Sequence, residues 1–271
     1  MTKASSSVAI IIPARYGSSR FLGKPLAMIT GRTMINRIWS LARAVPGVDE
    51  VCVATDDERI AEHVRSFGGD VVITSKECAN GTERVLRAAE MLATTPAIVL
   101  NLQGDAVLTP PWTITALIDE MHRNPTVEIA TAAVRMDMRS YEALRTAKQH
   151  GEVGGTTVTF DRRGNALYFS KSIIPFVRDD KQGDGTGLLP VFRHIGLYAY
   201  GYECLRRYIS LEPGPLEGSE RLEQLRALEH GIPVRVVEVD YGGRTHWAVD
   251  SPDDLKRVEA IIGEEGDLVG A

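Results

Sequence analysis

The sequence has few cysteines and no surplus of positive charge. Three of its 271 residues are cysteines, and Cys52, Cys78 and Cys204 stand too far apart for a metal-ligand spacing or a disulfide framework. We therefore expect reduced thiols in a cytoplasmic protein. The formal net charge of −5 disfavours a general nucleic-acid surface. Any positive field for an anionic ligand must then be local and built from a few Arg and Lys side chains.

A long apolar run without charged residues is also missing, so we expect no transmembrane helix and no membrane partner. The N-terminal segment is short and polar and leads directly into the apolar run at Val8, without the hydrophobic region of a signal peptide. No internal repeat and no low-complexity segment is found. The apolar content of 44% is that of a globular protein, and the length suffices for one large α/β domain.

The first half of the sequence alternates patterns of buried strands with patterns of amphipathic helices. Continuous apolar runs, typical of strands buried on both faces, and shorter β-branched runs predict strands at residues 8–12, 51–54, 71–74, 97–102 and 128–134. Apolar residues at helical spacing predict helices at residues 33–44, 58–67, 82–92 and 112–123. This alternation predicts an α/β fold with a mixed, mostly parallel sheet and helices on both faces.

The pattern changes after residue 135. We predict strands at residues 158–160, 166–169, 196–200 and 234–239, and one long amphipathic helix at residues 217–229. A last helix is predicted at residues 251–262, because Ser251 followed by Pro252 and two acidic residues is typical of a helix start. The second half is expected to join the same sheet, so residues 1–271 are interpreted as a single domain.

The loop after the first predicted strand carries the strongest functional signal. It reads Pro13-Ala-Arg-Tyr-Gly-Ser-Ser-Arg20 and is followed by Gly23-Lys24-Pro25. Ligands of open α/β sheets bind beyond the carboxyl ends of the strands, and this loop offers backbone N–H groups to phosphate oxygens at Gly17, Ser18 and Ser19. Cations that can neutralise a triphosphate stand at Arg15, Arg20 and Lys24. The loop is neither a Walker A loop nor a dinucleotide G-x-G-x-x-G, and a solvated surface loop is the weaker interpretation.

Two carboxylates are candidates for a Mg²⁺ site. Asp105 follows a buried strand and a permissive glycine, where a metal bound to a nucleotide would lie. Asp250 is the second candidate, although an acidic residue before a predicted helix is equally typical of a helix cap.

Two further polar segments have ordinary structural interpretations. Glu217, Glu220 and Gln224 share one face of the predicted helix 217–229, as on a solvated helix surface. His194 precedes an apolar strand, where a single histidine is more often structural than catalytic.

With these residues in place, the sequence resembles the 3-deoxy-manno-octulosonate (Kdo) cytidylyltransferases, from about Val8 to about Val258. The segments that carry the resemblance are IIPARYGSSR with GKPL, VATDDERIA, NGTER, NLQGD, ALYFSKSIIP through FRHIGLYAY, LEQLRAL and VDSPDDL. The first and NLQGD are shared loosely with other sugar nucleotidyltransferases, whereas ALYFS-x-x-x-IP, RH-x-G-x-Y-x-Y and LEQLR are specific to the Kdo branch.

The resemblance implies a nucleotide-diphospho-sugar transferase fold, a homodimer, and Mg²⁺-dependent attack of a sugar's anomeric hydroxyl on the α-phosphorus of CTP. It implies a part at about residues 136–245 for acceptor binding and dimerisation. Its catalytic residues would be Arg15, Lys24 and Asp105, with Asp105 and Asp250 binding Mg²⁺. Its nucleotide site would contain Ala14, Arg15, Gly17, Ser18, Ser19, Arg20, Lys24, Thr82, Arg84 and Gln103. Its pocket for the acidic sugar would contain Gln103, Lys171, His194, Tyr198, Glu220 and Gln224.

Most departures from the family pattern fall where the acidic sugar should bind. In this chain Ala106 stands where the family usually begins its Glu-Pro after NLQGD. Thr157 replaces a Lys of the family pattern, Lys171 replaces an Arg, and Gly218 replaces a His. Leu22 replaces the Pro of Arg-Leu-Pro-Gly-Lys. Replacing Arg by Lys removes a bidentate donor. CTP is therefore the firmer substrate prediction. The alternative acceptors are 8-amino-Kdo, another nonulosonate-type acid or a phosphonate, and the alternative function is a non-catalytic nucleotide-binding homologue.

Overall fold

A computed structural model describes residues 7–17, 21–178 and 187–269 of the chain. Ser18, Ser19 and Arg20, predicted to bind phosphate, lie outside the described residues. The described strands are β1 (Val8–Ala14), β2 (Met28–Ile29), β3 (Arg32–Thr33), β4 (Glu50–Thr55), β5 (Asp70–Ile73), β6 (Ile98–Leu102), β7 (Ile129–Asp137), β8 (Thr157–Phe160), β9 (Ala166–Ser170), β10 (Leu188–Gly201) and β11 (Arg235–Glu238). The described α-helices are α1 (Met34–Arg43), α2 (Glu58–Ser66), α3 (Gly81–Ala89), α4 (Pro111–Arg123), α5 (Met138–Gln149), α6 (Tyr202–Ile209), α7 (Pro215–Glu220), α8 (Leu225–Glu229) and α9 (Pro252–Glu265).

Nine of the described strands form one mixed sheet, and β2 pairs with β3 in a separate small ribbon. The main path of the sheet has the order β11-β7-β10-β6-β1-β4-β5, and β8 pairs with both β10 and β9. Along this path β10 alone runs antiparallel to its neighbours β6 and β7. The other six strands share one direction, because the remaining pairs are parallel. The prediction of a mixed, mostly parallel sheet is confirmed.

Helices cover both faces of the sheet, as predicted. The two faces of β1 show this most simply, since Ile10 and Ile12 face one core and Ala9 and Ile11 the other. The first core is completed by apolar residues of α1, α2, α4 and α9, and the second by residues of α3, α6 and α8. A strand buried on both faces favours apolar residues at nearly every position. This explains why β1 was readable as a continuous run and β6 as a run that only Asn101 interrupts.

The predicted helix at residues 217–229 is wrong. The chain forms two short helices, α7 and α8, because Arg221 adopts a left-handed conformation with φ 51° that ends the first of them. Glu220 therefore lies in α7, whereas Gln224 is the N-cap residue of α8, and the two do not share a helix face. Helices α5 and α6 were not predicted, and β10 is much longer than the predicted strand at 196–200.

The last helix begins as predicted, with Ser251 as its N-cap and Pro252 in its first turn. Ser251 and Asp254 form a capping box, in which each side chain bonds the backbone N–H of the other residue. Across the described part of the chain, every helix is too short or too polar to span a bilayer.

Candidate active site

The carboxyl ends of β1 and β6 meet at one edge of the sheet, because the two strands are parallel neighbours. Ala14 is the buried last residue of β1, and Arg15 follows it with an exposed side chain. The loop is closed where the N–H of Gly23 donates to the carbonyl oxygen of Tyr16 at 2.9 Å. Gly23 has φ +69°, and a Cβ there would lie 3.2 Å from the Tyr16 ring, so a side chain is disfavoured on both counts. A Cβ on Gly17 would meet no atom within 4 Å, so its backbone faces open space.

Lys24 joins the β1 loop to both predicted metal-binding segments. Its Nζ donates to Asp105 Oδ2 at 2.8 Å and to the carbonyl oxygen of Val249 at 2.8 Å. The backbone N–H of Val249 in turn donates to the carbonyl oxygen of Asp105 at 3.3 Å. Asp250 follows Val249 directly, so these bonds bring the two predicted carboxylates to the same edge of the sheet.

Asp254 holds the segment that carries Asp250. Its Oδ1 accepts a hydrogen bond of 2.8 Å from Trp247 Nε1, and its Oδ2 accepts from the backbone N–H groups of Asp250 and Ser251 at 3.0 and 2.7 Å. Burial raises the pKa of Asp254, but these hydrogen bonds outweigh it and hold the pKa below its usual value. Asp254 is therefore a carboxylate that fixes the backbone on both sides of the predicted metal ligand.

The donors at this edge fit a hard divalent cation. Carboxylate oxygens are the ligands Mg²⁺ prefers, and the Asp105 side chain is 28% exposed, so an ion can reach it. Across the described ranges no three His, Cys, Asp or Glu side chains are grouped closely enough to hold a metal by themselves. A metal here would take the rest of its ligands from substrate and water, as Mg²⁺ commonly does.

Beside this edge lies a cavity of about 370 Å³. The structure brings five of the predicted site residues to its wall: Thr82, Gln103, His194, Tyr198 and Gln224. The wall also contains residues that were not predicted, including Gly155, Thr156, Arg193, Tyr208, Glu223 and His246. Gln103 belongs to the segment of Asp105 and His246 to the segment of Asp250, so the cavity and the carboxylate edge are built from the same two stretches of chain.

A chain of polar side chains runs from β6 to the segment between α7 and α8. Gln103 Nε2 donates to Asn101 Oδ1 at 3.0 Å, and Asn101 Nδ2 donates to Thr82 Oγ1 at 3.2 Å. Thr82 Oγ1 donates to Glu223 Oε2 at 3.2 Å. Burial raises the pKa of Glu223. These bonds fix three polar groups in the cavity wall relative to one another.

His194 and Tyr198 are held on β10 around a bulge in its pairing with β7. Their side chains meet at 3.2 Å between Tyr198 Oη and His194 Nε2, and Thr131 Oγ1 lies 2.9 Å from the same nitrogen. Burial lowers the pKa of His194 to about 3 and raises the pKa of Tyr198 well above its usual value. Both side chains are therefore neutral near pH 7 and can act as hydrogen-bonding groups, but not as charges.

Three buried polar atoms of the cavity residues have no hydrogen-bond partner among the described residues. They are Glu223 Oε1, Gln224 Nε2 and His246 Nδ1. Buried polar atoms are almost always paired in folded proteins, because an unpaired one costs about 1–3 kcal/mol. Three such atoms at one cavity indicate a site for a polar ligand that supplies both donors and acceptors.

Lys171 and Glu220 lie beside the cavity residues, joined to each other. Glu220 Oε1 accepts from Ser170 Oγ at 2.7 Å, and Oε2 accepts from the backbone N–H of Lys171 at 2.9 Å. Thr157, which replaces a family lysine, is fully buried, and its Oγ1 donates to the carbonyl oxygen of Ser172 at 2.8 Å. The threonine thus ties β8 to the segment that follows β9 and presents no charge.

Arg84, predicted to contact the nucleotide, is buried and already bonded. Its side chain is 5% exposed, with Nη1 2.7 Å from Thr74 Oγ1 and Nη2 3.1 Å from Asp56 Oδ2. The described geometry shows it anchoring the segment 80–84 to the ends of β4 and β5. A direct nucleotide contact by Arg84 stays a prediction.

The chain is similar to known proteins in both sequence and structure. A family model described as cytidylyltransferase matches residues 9–237. A 3-deoxy-manno-octulosonate cytidylyltransferase of Maricaulis maris is 50% identical over 263 residues, which cover 97% of this chain and 100% of that protein. A mitochondrial 3-deoxy-manno-octulosonate cytidylyltransferase of Arabidopsis thaliana is 38% identical, covering 97% of this chain and 85% of that one.

Among solved structures, a CMP:2-keto-3-deoxy-manno-octonic acid synthetase complexed with CTP has a TM-score of 0.83 at 35% identity, covering 96% of this chain and 100% of that one. A cytidylyltransferase from Leptospira borgpetersenii has a TM-score of 0.62 at 14% identity, covering 98% and 90% of the two chains, and supports the fold alone.

Proposed function

The chain belongs to the cytidylyltransferase family, within it to the 3-deoxy-manno-octulosonate (Kdo) cytidylyltransferases, and we propose that it transfers CMP from CTP to Kdo. The anomeric hydroxyl of Kdo attacks the α-phosphorus of CTP, and pyrophosphate leaves. One observation of the site carries the proposal. The two segments with Asp105 and Asp250 also line the polar cavity through Gln103 and His246, so a metal-bound nucleotide and a polar acceptor would meet at their boundary.

The nucleotide is assigned to the edge of the sheet. Arg15 and Lys24 bind the triphosphate with charge, and the backbone from Ala14 to Gly17 faces the phosphates. Thr82, Arg84 and Gln103 border the nucleotide from α3 and β6. Lys24 already lies 2.8 Å from Asp105, so its ammonium is directed to where metal and phosphate charges would gather.

Asp105 and Asp250 would hold Mg²⁺, which when bound neutralises phosphate charge and lowers the pKa of a coordinated hydroxyl. The residues of the chain itself align the reactants. The acceptor lies against Gln103, Lys171, His194, Tyr198, Glu220 and Gln224. His194 and Tyr198 are neutral and orient sugar hydroxyls, since the chemistry requires alignment and charge neutralisation more than a strong base.

The remaining features of the proposal rest on the family. Residues 1–271 act as one nucleotidyltransferase domain, whose part at about residues 136–245 binds the acceptor and forms a homodimer. The protein works in the cytoplasm, in lipopolysaccharide biosynthesis, with CTP and an acidic sugar as its small-molecule partners.

The test is pyrophosphate release with CTP and Mg²⁺ against a panel of Kdo, 8-amino-Kdo, a nonulosonate and a phosphonate. Turnover of Kdo at the highest kcat/KM supports the proposal. Preference for another member of the panel would replace Kdo as the proposed acceptor. If the wild-type protein binds CTP without turning over any acceptor, and binding survives Asp105→Ala and Asp250→Ala, the chain is a non-catalytic homologue.

A further inference from the structure

The segment that carries Lys24 is held in place by the small ribbon of β2 and β3. Lys24 begins the short 3₁₀ turn Lys24–Leu26, and the ribbon follows this turn directly. The N–H of Ala27 donates to the carbonyl oxygen of Lys24 at 3.0 Å, and the N–H of Met34 donates to the carbonyl oxygen of Ala27 at 2.8 Å. Met34 is the first residue of α1. The backbone of Lys24 is therefore fixed relative to the ribbon and to the start of α1.

Arg37 of α1 holds the turn of this ribbon. Its side chain is 2% exposed, although it carries a charge. Its Nε donates to the carbonyl oxygen of Ile29 at 2.7 Å, and its Nη2 donates to the carbonyl oxygen of Thr30 at 3.1 Å and to Thr30 Oγ1. Thr30 has φ 44°, a left-handed conformation that a β-branched residue rarely adopts. The buried guanidinium therefore holds a strained turn in place.

Two carboxylates from the C-terminal part of the chain bind the same turn. Asp267, just beyond α9, accepts from Arg37 Nη1, which lies 2.9 Å from Oδ1 and 3.0 Å from Oδ2. Glu259 of α9 accepts from the backbone N–H of Thr30 at 2.9 Å through its Oε1. Within the described ranges, Asp267 is the one carboxylate that pairs with Arg37. We call Thr30, Arg37, Glu259 and Asp267 the clasp.

Helix α9 connects the clasp to the segment of Asp250. In its first turn, Asp254 Oδ2 accepts from the backbone N–H of Asp250 at 3.0 Å. In its last turn, Glu265 accepts from the backbone N–H of Thr245 at 3.0 Å. The segment that leads to Asp250 is thus bonded to α9 near both of its ends. The clasp therefore fixes the ribbon that follows Lys24 against the helix that holds the Asp250 segment.

The clasp and the direct bond between the two segments differ in their relation to the substrate. The direct bond runs from Lys24 Nζ to the carbonyl oxygen of Val249, and the proposed function assigns the same ammonium to phosphate. A phosphate that attracts Lys24 competes with this carbonyl. The clasp contains no residue assigned to a substrate, and none of its members is among the described residues that line the cavity. The clasp can therefore stay intact while the substrate binds.

We propose that Arg37 and Asp267 are positioning residues of the reaction, which keep the Lys24 loop and the Asp250 segment at a fixed distance while metal and triphosphate bind between them. The proposal rests on the proposed function, since it concerns the residues assigned there to CTP and Mg²⁺. Binding groups must be held within about 0.5 Å of their productive geometry by the residues behind them. The strained Thr30 fits this role, because strained residues persist only where their surroundings hold them and are common near functional sites.

The experiment measures the Kd of CTP in the presence of Mg²⁺ by titration calorimetry, the melting temperature, and the kinetics of pyrophosphate release with Kdo. Asp267→Asn keeps the size of the side chain and removes the charge that faces Arg37. The matched control is Glu264→Gln, which changes an exposed carboxylate in the last turn of α9. In Asp267→Asn we expect the Kd of CTP with Mg²⁺ to rise about tenfold and kcat to fall, with the KM for Kdo unchanged. Asp267→Glu keeps the charge and should recover most of the wild-type affinity.

The outcomes distinguish this proposal from the proposed function. A wild type that binds CTP with Mg²⁺ but does not turn over Kdo defeats the proposed function, and the Kd values then decide the role of the clasp. If Asp267→Asn melts at a lower temperature while its Kd and kcat equal those of Glu264→Gln, the clasp only stabilises the fold and the inference is overturned. If Asp267→Asn does not fold, Glu259→Gln replaces it, because it weakens the bond to the Thr30 N–H. A Kd equal to that of the control then overturns the inference.

Discussion

Thr82 and Glu223 lie 141 residues apart in the sequence and are joined by a hydrogen bond of 3.2 Å from Oγ1 to Oε2. Thr82 belongs to the segment assigned to the nucleotide, and Glu223 lies in the acceptor cavity. The bond therefore links the two proposed substrate sites through side chains of the protein. The bond is partly buried, and its loss removes a hydrogen-bond donor from the Glu223 carboxyl.

Thr82→Val tests this link. The valine keeps the shape of the threonine but removes the donor, so we expect a loss of about 1–2 kcal/mol in the free energy of unfolding. We also expect the KM values for both CTP and the acceptor to rise, because the substitution disturbs residues of both proposed substrate sites. Thr82→Ser keeps a hydroxyl, so its free energy of unfolding and its KM values should lie close to those of the wild type. A rise confined to one substrate would show that the bond does not couple the sites.

Asp250→Asn tests the proposed metal site. The amide keeps the size of the side chain, and the backbone N–H of residue 250 stays bonded to Asp254. We expect the Mg²⁺ concentration for half-maximal turnover to rise by about tenfold or more, because a charged ligand is lost. Asp253→Asn is the matched control, since Asp253 is an exposed carboxylate in the first turn of α9. If the two variants need the same Mg²⁺ concentration for half-maximal turnover, Asp250 is excluded as a metal ligand.

Gln224→Leu tests whether the Gln224 side chain stabilises the fold or binds the acceptor. Gln224 is 9% exposed and its Nε2 has no partner in the described structure. Removing an unpaired buried donor should leave thermal stability unchanged or raise it, since that donor is a cost to the free protein. The KM for the acceptor should rise about tenfold, the loss expected for one hydrogen bond. Gln149→Leu, at the exposed end of α5, should change neither quantity. A lower melting temperature with an unchanged KM would assign Gln224 a structural role.

Two histidines of the cavity wall, His194 and His246, make stability depend on pH. The pKa values of His194 and His246 are lowered to about 3, mainly by burial, against about 6.5 in the unfolded chain. The unfolded state therefore binds more protons below pH 6.5, and the free energy of unfolding falls as the pH drops from there toward 3. The expected slope is about 1.4 kcal/mol per pH unit for each histidine.

Urea unfolding at pH 7.5 and 5.5 measures this effect. The difference in the free energy of unfolding between pH 7.5 and pH 5.5 should shrink in His194→Gln by about the contribution of one histidine. It should stay unchanged in His122→Gln, on the exposed side of α4. Comparing each variant with the wild type cancels the contribution of the carboxyl groups that both proteins share. One of these is Glu223, whose raised pKa makes stability change with pH in the direction opposite to that of the histidines. An undiminished pH dependence in His194→Gln would mean that the imidazole is not buried as a neutral group.

Much of the sheet was readable from the sequence, because a strand buried on both faces leaves a continuous apolar run such as Val8–Ala14. The helix predicted at residues 217–229 failed for a reason that periodicity does not encode. Its residues have helical spacing, but the backbone reverses at Arg221 to place Glu223 and Gln224 in the cavity wall. Helix α5 was missed because it buries only Tyr141 and Leu144, too few apolar positions for a clear pattern.

The sequence named candidate site residues where one local segment carries the signal, and it did not name several of the cavity residues that the fold brings together. Lys24 and Asp105 each follow a strand end, and parallel neighbours bring strand ends together. Arg193 stands in a Kdo-specific motif, but its place in the cavity wall became visible only in three dimensions. His246 lies in an irregular segment, and neither its burial nor its unpaired Nδ1 leaves a mark in the sequence.

The contact from Lys24 to the carbonyl oxygen of Val249 spans 225 positions of the chain. During synthesis the strands β1, β4, β5 and β6 can pair long before residue 249 leaves the ribosome. Until it does, Lys24 lacks one of its two acceptors and Asp105 lacks its companion carboxylate. The proposed nucleotide-binding edge is thus completed last, by the segment that leads into α9. A nascent chain can therefore form its sheet well before it has all the residues proposed to bind a nucleotide and its metal.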